Sequence, residues 1–248
     1  MKPLLLTALG GTALGLSACA NLPAIGLDDP DRMIASSAQA LANRTVPANL
    51  PPAARPHRAR GDTFIYGGTR VRRITAIDGR GIAWITEDGS QQRSGLDFFT
   101  PRTRYTTPTG QVDSTIDGDP GKLWPLAPGN KVSFVETRHT TWTRGGNRRS
   151  QTFRWECEVA DMRMSYVPAG DFETFHVICR SYLPVLFVPV QVVAWDYAPL
   201  LGHYVRRTWF SAGKQRQTML SAALPGKLAT PKRIAAAVER LAPESGGI

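Results

Sequence analysis

Along this chain apolar and polar residues alternate with period two over short runs, and Gly-, Asp- and Pro-bearing turns separate the runs, which is the pattern of antiparallel strands. Thr63 to Tyr66 is followed by Gly67-Gly68, Arg70 to Ile77 by Asp78-Gly79-Arg80-Gly81, and Ile82 to Glu87 by Asp88-Gly89. A second series begins after Asp117-Gly118-Asp119-Pro120-Gly121: Lys131 to Arg144, Ser150 to Met164, Glu173 to Leu183, Val190 to Tyr197, His203 to Phe210 and Lys214 to Ser221. Helical periodicity is absent from both series. The pattern predicts a mainly β protein, an antiparallel meander forming a curved sheet or half-barrel. Val185-Leu186-Phe187-Val188, bracketed by Pro184 and Pro189, reads as a short buried or edge segment. Near the C-terminus Thr230 supplies an N-cap and Pro231 the first helical position. The apolar stripe Ile234, Ala237, Val238, Leu241 then predicts a short C-terminal helix that covers the sheet or one open end.

The N-terminus follows a different pattern. Lys2 precedes an apolar run from Leu4 to Leu16 that is too short to span a bilayer and ends in small residues, the three parts of an export signal. Leu16-Ser17-Ala18-Cys19 resembles a bacterial lipobox. That resemblance implies a signal peptide over residues 1–18, a lipid on the Cys19 sulfur, and acyl chains that hold the mature protein on a membrane. Ala20, where Asp would retain a lipoprotein in the inner membrane, implies the outer membrane with the protein facing the periplasm. The competing reading is an ordinary secretory signal cut after Ala18 or Ala20. Residues 19–60 are rich in Ala and Pro, with Pro47, Pro51, Pro52 and Pro56, and read as a semi-rigid tether. A short helix can open at Asp28-Asp29-Pro30 and run to about Ala42. Beyond the tether the segments are a small β module over 61–117, a main antiparallel domain over 118–224, and the helix and tail over 225–248.

With Cys19 assigned to lipid, Cys157 and Cys179 remain, an even number in an exported chain. Phe153, Trp155, Cys157 and Val159 alternate with charges, and Phe175, Val177 and Cys179 share one face of a following strand. A hairpin centred on Pro168 places Cys157 opposite Cys179, Val159 opposite Val177 and Phe153 opposite Leu183. Opposed residues in an antiparallel pair lie within disulfide range. The alternative is two free buried thiols.

Charge adds a preference for anionic neighbours. The formal net charge is +10, most of it arginine, and within residues 1–18 only Lys2 contributes. Headgroups of anionic lipid or lipopolysaccharide fit that balance, as does an acidic polymer or an envelope protein. No nucleic-acid recognition motif is present. No Gly-x-Ser-x-Gly, Walker or His-Glu-x-x-His motif occurs, and His57, His139, His176 and His203 are dispersed, so no catalytic residue, metal site or cofactor is expected. Asp113, Asp117 and Asp119 lack the order of a calcium loop and read as turn formers.

Trp124-Pro125-Leu126 with Gly129-Asn130, the Trp155, Cys157, Val159 strand, Val167-Pro168-Ala169-Gly170 with Phe172, Thr174 and Cys179, and the run from Trp195 to Val205 together resemble a family of β-rich bacterial envelope lipoproteins. The resemblance covers roughly residues 120–222. It implies a half-barrel sheet distantly similar to the lipoprotein-localisation carriers, whose concave apolar face holds acyl chains. The leading expectation is therefore a non-catalytic lipoprotein that binds an apolar or amphipathic envelope ligand. Trp195 and Trp209 would contact its chains, with His203 beside them, and Arg206, Arg207 and Arg154 would meet its headgroup. The alternative is an assembly accessory that docks a protein or anionic polymer through a basic surface. An envelope hydrolase stands third.

Overall fold

The computed structural model describes residues 46–242. Twelve strands follow one another around a closed antiparallel barrel in chain order: β1 (Thr63–Tyr66), β2 (Arg70–Asp78), β3 (Gly81–Thr86), β4 (Gln91–Ser94), β5 (Arg102–Thr107), β6 (Gly110–Asp117), β7 (Lys131–Trp142), β8 (Arg148–Val167), β9 (Gly170–Tyr182), β10 (Gln191–Ala198), β11 (His203–Ser211) and β12 (Lys214–Leu224). β12 returns to pair with β1. The expected meander is thus present, and it curves until its edges meet, which removes both free edges. The segments 61–117 and 118–224 meet in this one barrel through the β6–β7 and β1–β12 pairings.

Helix α1 (Pro231–Leu241) starts where expected, with the Thr230 hydroxyl accepting a hydrogen bond from the Arg233 amide at 3.3 Å. It lies against β12 outside the barrel and covers no open concave face; its Leu241 carbonyl abuts the Gly68 turn. That corrects the expectation of a helical lid: a sheet closed on itself already covers its inner face.

Three strands, β4 to β6, were not marked by alternation. The inward residues of β4 and β5 include Gln92, Ser94 and Arg102, so both faces are polar and period two carries no hydropathy contrast, and in β6 the buried Ser114 stands between the apolar Val112 and Ile116. Three further differences concern local geometry. The β8–β9 hairpin does pair Cys157 with Cys179 and Val159 with Val177, and a disulfide joins the cysteines across a Cα–Cα distance of 4.0 Å. Its turn, however, is centred between Pro168 and Ala169 because a bulge at Ala160 shifts the register by one residue. Val185 to Val188 is not buried; the four residues project as an exposed loop, Phe187 at 99%. From Val46 on, the Pro-rich stretch packs on the barrel: the Val46 carbonyl accepts from the Met164 amide at 2.8 Å, and Ala53 exchanges two backbone hydrogen bonds with Leu126. Cys19 and the segment from Asp28 to Ala42 lie outside the described residues.

The antiparallel meander puts alternate turns at opposite ends. At one end, the floor, the long connections 95–101 and 118–130 and the segment 46–60 fill the barrel, Phe99, Leu123 and Leu126 packing with Phe175 of β9 and Tyr197 of β10, all essentially without exposure. Asp97 pins these pieces together. Arg55 meets its carboxylate at 2.9 Å, and Trp124 Nε1 donates to it at 2.7 Å. At the other end the lumen stays open. The outer wall carries ion pairs, Arg180–Glu158 at 2.8 Å and Arg154–Glu156 among them. A barrel facing lipid would present an apolar band there.

Candidate functional site: a cationic lumen

Above the floor the barrel holds a cavity of about 1150 Å³. Seven arginines line it, Arg58, Arg70, Arg72, Arg102, Arg138, Arg207 and Arg216, against three carboxylates, Glu87, Asp88 and Glu136. Glu136, 1% exposed, is fully engaged: Arg138 meets both its oxygens at 3.0 Å, Ser114 Oγ donates at 2.8 Å and Trp155 Nε1 at 3.0 Å. Glu87 and Asp88 belong to the turn at the mouth.

That leaves an inner group of four guanidiniums, those of Arg58, Arg72, Arg102 and Arg207, with no ion pair to a carboxylate among the described residues. Nε and Nη2 of Arg58, Nε of Arg72 and Nε of Arg207 have no hydrogen-bond partner there either. Their flat faces rest on aromatic rings instead. Arg72 lies 4.5 Å from the Trp84 ring centroid, Arg102 4.5 Å from Tyr105, and Arg207 5.8 Å from Trp195 and 5.3 Å from Trp209. Burial pulls Arg58, Arg102 and Arg207 below the ordinary arginine value, and the neighbouring guanidinium of Arg72 adds to the pull on each. A guanidinium remains charged at neutral pH even so. The lumen is therefore a preassembled concentration of positive charge with donors left over.

Beneath the four lies a neutral polar cluster. Tyr66 Oη and His203 Nε2 are 2.7 Å apart, His203 stacks on Phe64 at 3.7 Å, and Arg72 Nη1 donates to Tyr204 Oη at 3.0 Å. Burial holds His203 well below the ordinary histidine value, reinforced by Arg58 and Arg72, so the ring is neutral at pH 7. Burial likewise keeps the Tyr66 phenol well above its usual range. For Tyr204 burial works in the same direction but is outweighed by Arg72 and Arg207, and its phenol falls below the ordinary value. Among the described residues no group of three or more metal-capable side chains occurs, and no helix is long and apolar enough to cross a membrane.

No protein-family model matches the chain, and no curated protein matches it. Among solved structures it is similar to the hypothetical lipoprotein YmcC of Escherichia coli K12, with 10% identity over 66% of this chain and 84% of that one and a TM-score of 0.45. It is also similar to a Bacteroides fragilis protein of YmcC-like fold, with 12% identity over 69% of this chain and 99% of that one and a TM-score of 0.39. At these values neither speaks to the chemistry of this lumen.

Of the residues the sequence singles out, Trp195, Trp209, His203 and Arg207 line the cavity together. Arg206 and Arg154 do not. Both lie on the outer wall, Arg206 donating to the Tyr166 carbonyl at 2.7 Å and facing Asp196 at 3.5 Å, Arg154 pairing with Glu156 and covering the Tyr182 ring. Adjacent strand residues point to opposite faces, so Arg206 and Arg207 cannot share one ligand. Arg58, Arg72, Arg102, Tyr66, Trp84 and Tyr204 were missed. A signal for Arg72 existed: the Gly67-Gly68 hairpin pairs Phe64 with Arg72 and Tyr66 with Arg70, so an inward aromatic implies an inward arginine. None existed for Tyr204 or Tyr105, because bulges at Val205 and Thr103 break the period-two count that relates them to Arg207 and Arg102.

Proposed function

We propose that this chain is a non-catalytic binding protein of the bacterial envelope, which holds an anionic amphiphile inside its barrel. The observation that carries the reading is the inner group of four guanidiniums, without carboxylate partners, inside an open, aromatic-walled cavity. A carboxylate or phosphate placed among them gains charge-assisted hydrogen bonds from donors that are otherwise unused. The apolar part then lies against Trp84, Trp195 and Trp209. The cavity lies just above the usual size range of small-molecule sites, with room for an amphiphile's chain. No chemistry is assigned to the lumen, since His203 is hydrogen-bonded to a tyrosine and aligned with no serine or carboxylate.

The same reading sets the protein on the outer membrane, lipid-anchored through Cys19 and facing the periplasm. The lipobox resemblance and the Cys157–Cys179 disulfide, which persists in oxidising compartments, support that placement. A basic docking surface is the weaker account, because many outward arginines, such as Arg93, Arg104, Arg163 and Arg180, are matched to carboxylates.

The test is a titration of the chain without residues 1–19, which keeps every described strand, with long-chain fatty acids and lysophospholipids, read by tryptophan fluorescence. Saturable quenching that weakens in Arg72→Ala and Arg207→Leu is expected. No saturable signal at low or high salt would remove the lumen site.

A further inference from the structure

The exposed loop between β9 and β10 has no role in the lumen reading and stands independently of it. Val185 is 83% and Phe187 99% exposed, yet the loop is not loose chain. Pro184 and Pro189 fix its flanks, the Leu186 amide donates to the Leu183 carbonyl at 3.0 Å, and the Val190 amide to the Ser181 carbonyl at 2.8 Å. The fold therefore holds four apolar side chains out in water as a short prong, at a cost that an unpartnered loop has no reason to bear.

Its position is specific. Val190 leads into β10, whose Gln191, Val193 and Trp195 line the cavity, so the prong stands at the mouth of the barrel. The two neighbouring hairpin tips at the same end, β7–β8 and β11–β12, present exposed Arg144, Arg148, Arg149, Lys214 and Arg216. Neither tip, nor the loop itself, contains a carboxylate. Among the described residues the only acids in a mouth-side turn, Glu87 and Asp88, stand on the β3–β4 turn, six strands away around the barrel.

From this juxtaposition of an apolar prong with a one-sided cluster of cations we infer that the mouth of the barrel docks onto the surface of an anionic phospholipid membrane, with Phe187 and Val185 inserted among the headgroups and acyl chains and the arginines over the phosphates. Four side chains on one loop are far short of the roughly 800 Å² per partner that a stable protein interface buries. They suffice for shallow insertion, where apolar contact and attraction to anionic lipid act together. The lumen then opens toward the bilayer.

The experiment is co-sedimentation of the chain without residues 1–19, so that no N-terminal lipid contributes, with vesicles of phosphatidylglycerol and phosphatidylethanolamine or of phosphatidylcholine alone. Binding to the anionic vesicles is expected, reduced by high salt and lowered about tenfold or more by Phe187→Glu. Phe187→Ser and Val185→Ser, which alter only exposed positions, should lower it in the same direction while circular dichroism and fatty-acid binding stay unchanged. Equal partition of the Phe187→Glu variant and the parent, or equal partition into the two vesicle types, overturns the inference. So does a Phe187→Glu variant that changes only the oligomeric state, since the prong is then a contact between protein copies.

Discussion

Arg206 and Arg207 are neighbours in the chain and have opposite fates. Arg206 completes an outer-wall cluster around Asp196, which also takes a hydrogen bond from Ser165 Oγ at 3.0 Å and lies 2.6 Å from His176 Nδ1. Arg207 turns into the lumen between Trp195 and Trp209. Replacing Arg207 or Arg72 should therefore remove a charge-assisted contact worth about 1.5–3 kcal/mol and weaken an anionic ligand roughly tenfold to hundredfold. Arg206→Ala should leave affinity unchanged, and parallel titrations of the three variants check both statements. Asp196 makes a pH prediction of its own. Burial alone would raise its carboxyl, but the His176 hydrogen bond and charge, then Arg206 and Arg163, outweigh burial and hold it below the usual carboxylate range. Its native value thus lies below its unfolded one, so its contribution to stability is complete above about pH 4 and is lost as pH falls through the native value. Denaturant unfolding should find Asp196→Asn less stable than the parent at pH 7, with the difference shrinking in acid. Glu136→Ala, which strands Arg138 and the Trp155 indole in the wall, should cost about 3–5 kcal/mol by the same measurement.

At the scale of strands and hairpins, what could be read in the sequence depends on what each strand faces. β7 to β10 pack inward residues such as Phe134, Val159, Val177 and Tyr197 into the core below the cavity, so alternation marks them, and the Cys157–Cys179 register follows from it. β4 and β5 face the wet part of the lumen, where Gln92 and Arg102 take inward positions, and there the alternation fails. In β6 the inward Ser114, bonded to the buried Glu136, interrupts the apolar row of Val112 and Ile116. The illegibility of β4 and β5 is thus a consequence of the binding cavity itself. Bulges supply the other loss. A single extra residue at Val205 lets both Tyr204 and Arg207 face inward, a placement that hydropathy cannot reveal. The disulfide ties β8 to β9, whose shared pairing is the longest in the barrel. In the chain-entropy model, closing its loop contributes about 3 kcal/mol. A Cys157→Ala/Cys179→Ala variant should unfold at correspondingly lower denaturant, and non-reducing peptide mapping of the parent should recover the linked fragment.

For the molecule as a whole, the closed barrel separates two jobs. Its floor, sealed by residues 46–60, Phe99 and Leu126, supplies rigidity, while the mouth end gives up core packing for a charged cavity. Because α1 lies outside the barrel, deleting residues 228–248 should change stability more than ligand affinity, which calorimetry of both properties can separate. Cys19→Ser should abolish lipid labelling of the protein and make its retention in the membrane fraction sensitive to high salt. The central claim, that the lumen recognises negative charge on an apolar body, is tested most directly by calorimetric titration with dodecanoate and with dodecanol, which share a chain and differ in the charged group. The account predicts saturable binding of dodecanoate that weakens with salt and in Arg72→Ala, and little binding of the alcohol. Equal affinity for the two, unaffected by Arg72→Ala, would contradict it.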